Sequence, residues 1–374
     1  MQQKRLCIVT HVCRRNDGQG RVNYEVAKAA LAAGWKVTLI ASEAAPDIAD
    51  DLKMVWIKVP ASRMPSALLK YQVFAWKTAR WLRQHGGEFD IVHTNGFITW
   101  YKADVNTAHF VHAGWWHSGY FPYRWFGSPY QAYQSLYTRL NAWLERRAFR
   151  QARAVVAVSG KIAMELQAIG VSPSRIEVIA NGVDIIEFCP GPAERDRFGL
   201  PPDVPLALFA GDIRTSRKNL DTVLQALVIA TGCHLVVAGR LEGSPFPALA
   251  RTLGIADRVH FLGMVAEMSH LMRCVDLFVF PSRYEAMSLV IVEAMASGLP
   301  VLTASSAGGA EIVGDGGRVL ESPNDSATLA SWMRELSTDS DLRLAMGRCA
   351  RKIAEDYSWG AMGEKYLALY DRLL

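Results

Sequence analysis

Two glutamates, Glu285 and Glu293, stand in one short apolar stretch, VFPSRYEAMSLVIVEAMASGLPVLT (279–303). Paired carboxylates with few polar neighbours can form a glycosidase acid and base, a metal site, a ligand clamp, or a merely wetted helix face. The local pattern separates these. DLFVF (276–280) reads as a strand ending at Pro281, and a helix should begin near Ser288 and run to Gly298. Glu285 then precedes the helix and Glu293 lies inside it. Val290, Ile291, Val292 and Met295 predict that the face around Glu293 is buried. The backbone of Ala286, Met287, Ser288 and Leu289 offers N–H groups to an anion at the helix start. Carboxylates suit hydroxyls rather than the anion itself, and a ribose or other sugar supplies hydroxyls in pairs. A hydrolytic acid and base must flank a glycosidic bond at ~5–10 Å. Two acids on a helix start and its second turn, facing an anion site, do not fit that geometry.

Three cations gather in LFAGDIRTSRKNLDTVLQAL (208–227), where Arg214, Arg217 and Lys218 come between a strand and a helix. Basic side chains with helix N–H groups make a phosphate site. In the first half, HVCRRNDGQGRVNYE carries Gly18 and Gly20 just before a helix, where the backbone can approach an anion closely. This is not the dinucleotide fingerprint, which would need glycine at Asn23. DVNTAHFVHAGWWH (104–117) carries His109, His112 and His117 after a strand. Along a continuing strand His109 and His112 would face opposite ways, which argues against a shared metal. One histidine in a cleft, donating to a sugar hydroxyl or phosphate, fits better, with His112 and His117 packing the surface or core.

The elements that must hold these residues alternate throughout. RLCIVTH, KVTLIAS, FDIVHT, AVVAVS and RIEVIA in the first half read as strands buried on both faces. LALFAG, HLVVAG, RVHFLG, DLFVF and PVLTA in the second half read the same way. Helix, glycine and strand recur in LAAGWKVTLI, IATGCHLVVAG and MASGLPVLTA, where glycine suits the left-handed residue that closes a helix. Two doubly wound α/β domains follow, as does a length of 374 residues. The break should fall near 185–205, where FCPGPAERDRFGLPPDVP reads as a linker. The final SWGAMGEKYLALYDRLL reads as an amphipathic helix with Tyr366, Leu367, Tyr370 and Leu373 on one side.

Composition narrows the class. Residues 1–186 hold 23 Lys and Arg against 13 Asp and Glu, and nine of the 11 tryptophans, whereas the remainder has an acidic surplus. A basic half points to an anionic partner. No nucleic-acid motif accompanies the charge. The amphipathic 65–87 segment and the aromatic, basic 119–133 segment instead suggest peripheral contact with an anionic membrane. The alternative is a core-packed helix and an acceptor pocket. No apolar run is long enough to span a bilayer, and MQQKRLCIVTH lacks the apolar region of a signal peptide. Six scattered cysteines without C-x-x-C argue against zinc and disulfides, and for a reducing cytoplasm.

With these residues in place, the chain resembles a known family. The Glu285 and Glu293 spacing fits the E-x7-E motif of retaining GT-B glycosyltransferases. PSRYEAMSLVIVEAMASGLPVLTASSAGGAEIV resembles the signature block of glycosyltransferase family 4. DIVHTNG, AVVAVSGKIAMEL, IEVIANGVDIIEFCP, LVVAG, VHFLG and YSWGAMGEKYLALY add ordered matches along the chain. The resemblance implies two Rossmann-like domains facing across a cleft, an acceptor domain over 1–186 and a donor domain over 187–357. The C-terminal helix, about 358–374, would return to the first domain. It implies retaining transfer from a nucleoside-diphosphate sugar to a glycan or lipid-linked acceptor, without a required metal. Glu293 would hold the ribose hydroxyls, Glu285 would lie near the donor sugar, and Lys218 would grip the diphosphate. Backbone near Gly263 and Val265 would meet the base. Gly20 would admit the donor phosphate and His109 would touch the sugar. Two departures stand out. Asp212 occupies the place of a usual diphosphate-binding arginine, so Arg214 or Arg217 has to supply that charge, and GQGR replaces the commoner glycine pair. A nucleotide-sugar 2-epimerase of the same fold is the nearer rival, and a basic membrane- or nucleic-acid-binding module the more distant one.

Overall fold

The computed structural model describes residues 3–15, 17–60, 64 and 66–374. Met1 and Gln2 of the N-terminal stretch, Asn16 of the glycine loop and Pro65 of the amphipathic segment lie outside the described residues. The chain forms two compact units: residues up to Asn181 together with Trp359–Leu374, and Gly182–Ser358.

The first unit is built on a parallel sheet. Its strands are β1 (Arg5–Val9), β2 (Lys36–Ala41), β3 (Met54–Lys58), β4 (Ile91–Asn95), β5 (Val105–Ala108), β6 (Ala154–Ala157) and β7 (Ile176–Val178). They lie in the order β3-β2-β1-β4-β5-β6-β7, every pairing parallel. A parallel sheet has to be covered on both faces, so its strands are apolar at successive positions rather than alternate ones. In β1, Leu6 and Ile8 enter one core with Val26 and Ala27 of helix α1 (Gly18–Ala32). Cys7 and Val9 enter the other with Phe74 and Leu82 of α2 (Ala67–His85). One face of the amphipathic segment is therefore core. Leu69 and Trp76 remain exposed on α2.

The C-terminal helix belongs to this first unit. Met362, Tyr366, Leu369 and Tyr370 are buried, and a Cβ on Gly363 would come within 2.7 Å of Ala29 Cβ on α1, so glycine permits the close crossing. A buried polar chain fixes the helix. The Tyr370 hydroxyl lies 2.7 Å from His93 Nδ1, His93 Nε2 lies 2.8 Å from Thr107 Oγ1, and Thr107 lies 3.1 Å from the Tyr366 hydroxyl.

The second unit has strands β8 (Leu206–Ala210), β9 (His234–Ala238), β10 (Val259–Gly263), β11 (Leu277–Phe280), β12 (Val301–Ala304) and β13 (Gly317–Leu320). Their order is β10-β9-β8-β11-β12-β13, again parallel. Two sequence readings need correction. Gly34 and Gly298 do adopt left-handed φ of 86° and 78°, but Gly232 is not among the positive-φ glycines, so its helix closes without one. The proline-rich stretch is not a free linker either. Coil without ladder partners leaves carbonyls wanting donors, and arginines of the second unit supply them. Arg195 bonds the carbonyls of Pro202 (2.7 Å), Val204 (2.9 Å) and Cys274 (2.9 Å) and the Asp276 carboxylate (2.8 Å). Arg273 takes the Cys189 carbonyl at 3.0 Å and Arg351 that of Phe188 at 2.9 Å.

The buried polar chain gives the first unit a pH dependence. His93 is 1% exposed, and burial pulls its pKa from 6.5 to about 3. Burial likewise pulls His11, with help from Lys70, and His109 down to about 4. A base with a depressed folded pKa takes up its proton on unfolding. Stability is therefore complete above the unfolded value of 6.5 and falls as pH drops toward the folded one. A fully buried histidine contributes roughly 1 kcal/mol per pH unit in that window. The urea midpoint should fall steadily from pH 7 to pH 5, and His93→Gln should flatten that slope. A midpoint constant over this range refutes the account.

Candidate functional site

Doubly wound sheets bind ligands beyond the carboxyl ends of their strands. In the second unit β8 and β11 are sheet neighbours, so the loops that follow them emerge side by side. After β8 the chain reaches Asn219, the only non-glycine residue with positive φ (67°) among the described residues. Asparagine tolerates this region better than other side chains, and here its buried amide is fully engaged. It donates to the carbonyls of Pro281 (2.8 Å) and Pro323 (2.6 Å), and its oxygen accepts from Thr222 Oγ1 (2.7 Å). Arg283 ties the same loops from the other side. Its backbone N–H donates to Arg217 O at 2.9 Å, and its guanidinium donates to Ser216 O at 2.7 Å and to both Asp221 oxygens at 3.0 and 2.6 Å.

This anchoring sets Lys218 against Glu285. The ammonium lies 2.5 Å from Glu285 Oε1 and 5.3 Å from the centre of the Phe280 ring. Arg217 Nη1 reaches the same oxygen at 3.7 Å. Burial pulls the Lys218 pKa down, and Glu285 offsets only part of that shift. Arg214 is engaged elsewhere. It grips Asp212 through Nε at 2.8 Å and Nη2 at 2.9 Å, and this bond holds the Asp212 carboxyl below its usual pKa. Of the two arginines that could replace the one missing at 212, Arg217 is therefore the one directed at Glu285.

A third loop closes on the first two. The Gly308 N–H donates to Glu285 O and its carbonyl accepts from the Ser288 N–H, both at 3.0 Å. A Cβ on Gly308 would sit 1.8 Å from Ala286 O, so only glycine fits. The contact corrects one expectation: the Ser288 N–H is committed to Gly308. The N–H groups of Met287 and Leu289 have no partner among the described residues. Helix α4 (Leu289–Ala296) follows, with Ile291, Val292, Ala294, Met295 and Ala296 fully buried. Glu293 is half-buried and shares the open side of the helix with Leu289 and Val290, so Val290 does not help to bury it as its apolar character implied. At the neighbouring strand ends, a Cβ on Gly239 would lie 2.1 Å from Gly211 O, and Gly263 takes φ 73° while its carbonyl accepts from the Gly239 N–H at 2.8 Å. Val265 follows, half-buried. Asn219, Arg283 and Gly308 escaped the sequence reading. The isolated asparagine before a helix was the one local signal available.

In the first unit the corresponding strand ends carry imidazoles. His109 Nε2 lies 3.0 Å from Asn95 Oδ1, and the Asn95 amide nitrogen is directed at Val9 O at 3.2 Å. That second bond fixes the amide orientation, so Nε2 donates. His109, neutral near pH 7, is left with Nδ1 as an acceptor. The expected donor to a sugar is thus an acceptor. His112 turns instead to Glu145, and His117 Nδ1 to Ala113 O at 2.8 Å, so these histidines do not converge on one point. Gly18 and Gly20 lie inside the first turn of α1 rather than before it. The Gly20 N–H is taken by Asp17 Oδ1 at 2.7 Å, and a Cβ there would meet that oxygen at 2.8 Å. A carboxylate therefore already caps the helix start where an anion was expected.

Comparison with known proteins agrees with this architecture. The model of Glycosyltransferase Family 4 matches residues 16–187 and that of Glycosyl transferases group 1 matches 192–353. The D-inositol 3-phosphate glycosyltransferase of Mycolicibacterium smegmatis is 34% identical over 212 residues, covering 54% of this chain and 48% of that protein. The match thus spans about half the length of that relative. The sucrose-phosphate synthase of Thermosynechococcus elongatus superposes with a TM-score of 0.81 at 19% identity, covering 99% of both chains. WaaG, a glycosyltransferase involved in lipopolysaccharide biosynthesis, does so with a TM-score of 0.79 at 23% identity, covering 98% of this chain and 99% of its own. By its paired Rossmann-like sheets and its two consecutive family matches, the chain belongs to the GT-B glycosyltransferases of family 4, group 1.

Proposed function

We propose that this protein transfers a sugar, with retained configuration and without a required metal, from a nucleoside-diphosphate sugar to a hydroxyl of a glycan or lipid-linked acceptor in polysaccharide or glycoconjugate synthesis. The observation that carries this reading is the half-buried Lys218 ammonium, shared with Glu285 and approached by Arg217 at adjacent strand ends. A diphosphate would relieve an ammonium that burial already destabilises. The same cations and the Met287 and Leu289 N–H groups would receive the charge that develops as the nucleoside diphosphate leaves. Glu293, half-buried on the side of the helix it shares with Leu289 and Val290, suits a pair of ribose hydroxyls, and Glu285 the donor sugar. The turn at Gly263 and Val265 suits the flat face of a base. His109 Nδ1 would accept from a sugar hydroxyl. An Anabaena relative in fold, HepE, 18% identical, has been obtained in complex with UDP-glucose, which lends support to a nucleotide-sugar donor.

The epimerase reading would require acid and base carboxylates in the first unit in addition to these groups. Glu145 is engaged with His112 and Asp17 with Gly20. Transfer is therefore the better supported reading. Membrane contact forms part of it. Trp125, Phe126 and Tyr130 are exposed, Arg139 stacks on Trp116 and Trp125 at 5.7 and 5.9 Å, and Arg80 lies over exposed Trp76 at 5.8 Å. Exposed aromatics interleaved with cations suit an anionic bilayer surface. Among the described residues no helix is long and apolar enough to cross a membrane.

Release of nucleoside diphosphate from UDP-, GDP- and ADP-sugars tests the whole reading, and no release from any of them sinks it. Lys218→Ala should lower turnover by about 2–4 kcal/mol of transition-state stabilisation, by analogy with a lost oxyanion donor. Arg217→Ala should impair turnover while Arg214→Ala leaves it near normal. The reverse order would make Asp212 a partner that releases Arg214 to the donor. Glu293→Ala should weaken calorimetric affinity for the sugar nucleotide, and unchanged affinity would remove the ribose clamp. Activity should survive EDTA; loss restored by added magnesium or manganese would overturn the metal-free mechanism.

A further inference from the structure

A carboxylate and imidazole pair, Glu145 and His112, stands at the strand ends of the first unit. Glu145, 6% exposed, lies on helix α3 (Pro129–Gln151), and His112 opens the short helix His112–His117. Glu145 Oε2 accepts from the His112 backbone N–H at 2.9 Å, and Oε1 lies 2.7 Å from His112 Nδ1. A carboxylate partner is an acceptor, so Nδ1 carries a proton and the ring is held at two points. Nε2 has no partner among the described residues and is not among the buried unpartnered atoms, so it opens to solvent. Capping a short helix needs only the backbone bond. The second bond orients an imidazole whose outer nitrogen the protein leaves unused.

The pair stands beside the ends of β4 and β5. A Cβ on Gly96 would lie 3.7 Å from Glu145 Oε1, and the preceding residue, Asn95, holds His109. The rings of Phe110 and Tyr137 lie 4.9 and 5.9 Å from that of His112, and Tyr71 packs on His11 at 4.8 Å near the end of β1. Imidazoles among aromatic faces match a polyhydroxylated ligand, whose hydroxyls seek fixed acceptors and whose C–H faces seek rings.

We propose that His112 Nε2 accepts a hydrogen bond from a hydroxyl of the sugar or polyol acceptor, with Glu145 as the positioning residue that aims the ring. This rests on the glycosyl-transfer reading above. Glutamine at 112 sets its amide near the place of Nε2, whereas asparagine keeps the link to Glu145 and loses the outer acceptor. The purified full chain and its H112A, H112N and H112Q variants would be given UDP-glucose, GDP-mannose and ADP-glucose. Nucleoside diphosphate release would be followed with water alone and with methyl glycosides or D-inositol 3-phosphate added. H112A and H112N should raise the acceptor KM about tenfold, the worth of one hydrogen bond. The kcat and the release with water alone should stay near normal, and H112Q should recover most of the loss. Rescue by H112N but not H112Q would make the contact purely structural and overturn the proposal. So would an unchanged acceptor KM in all three variants, or water-dependent release falling in step with transfer. If the wild-type chain releases nucleoside diphosphate from no donor, transfer itself fails. If it does release it and only the variant pattern fails, the proposal about His112 fails alone.

Discussion

The Lys218 side chain is 16% exposed, so its ammonium keeps only part of its hydration, and taking a charge out of water is costly unless a partner compensates. Glu285 is that partner, 2.5 Å away. The compensation is incomplete, because burial still outweighs the carboxylate and the Lys218 pKa remains depressed. An ammonium in this condition gains from any further anion brought to it. The rest of the local structure serves to keep two residues far apart in sequence within bonding distance. Parallel pairing of β8 and β11 brings their loops to one edge. The left-handed Asn219, the Arg283 guanidinium and the Gly308 contact then remove the slack from those loops.

Pairing also decides which charges remain available. Asp212 takes two bonds from Arg214, so the two cancel beside the site rather than contribute to it. Arg217 is directed at the oxygen that already holds Lys218. Aspartate at 212 thus holds Arg214 as a local counter-ion and leaves the next cation in the loop, Arg217, to face Glu285.

Much of this followed from the sequence because it is local. Strands buried on both faces write continuous apolar runs, and Leu6 to Val9 or Leu277 to Phe280 can be read directly. The glutamate spacing and the cations after β8 were likewise visible. What escaped depends on partners remote in sequence. Arg195 makes a coil of the second unit by reaching Cys274 and Asp276. Gly308 is glycine because Ala286 O lies against it. In the sequence Gly20 looks like open backbone, but Asp17, three residues earlier, folds back to cap it. An aspartate before a glycine-started helix is itself a capping signal, so this contact is legible in the sequence.

The basic surplus of the first half does not mark a charged site. The groups at its strand ends include His11 and His109, both neutral near pH 7 because burial depresses them, and Arg14 and Arg15 nearby are paired with Glu43 and Asp47. Exposed Arg80 and Arg139 stack instead on Trp76, Trp116 and Trp125, and Arg147 on Trp100. Charge that is both exposed and stacked on aromatic rings acts on large surfaces, where many weak contacts add. In the proposed reading, the imidazoles held by Asn95 and Glu145 act on single hydroxyls, where direction matters more than field. In that reading the unit divides these two tasks between its outer helices and its strand ends, and its net charge belongs to the surface rather than to the groups at the strand ends.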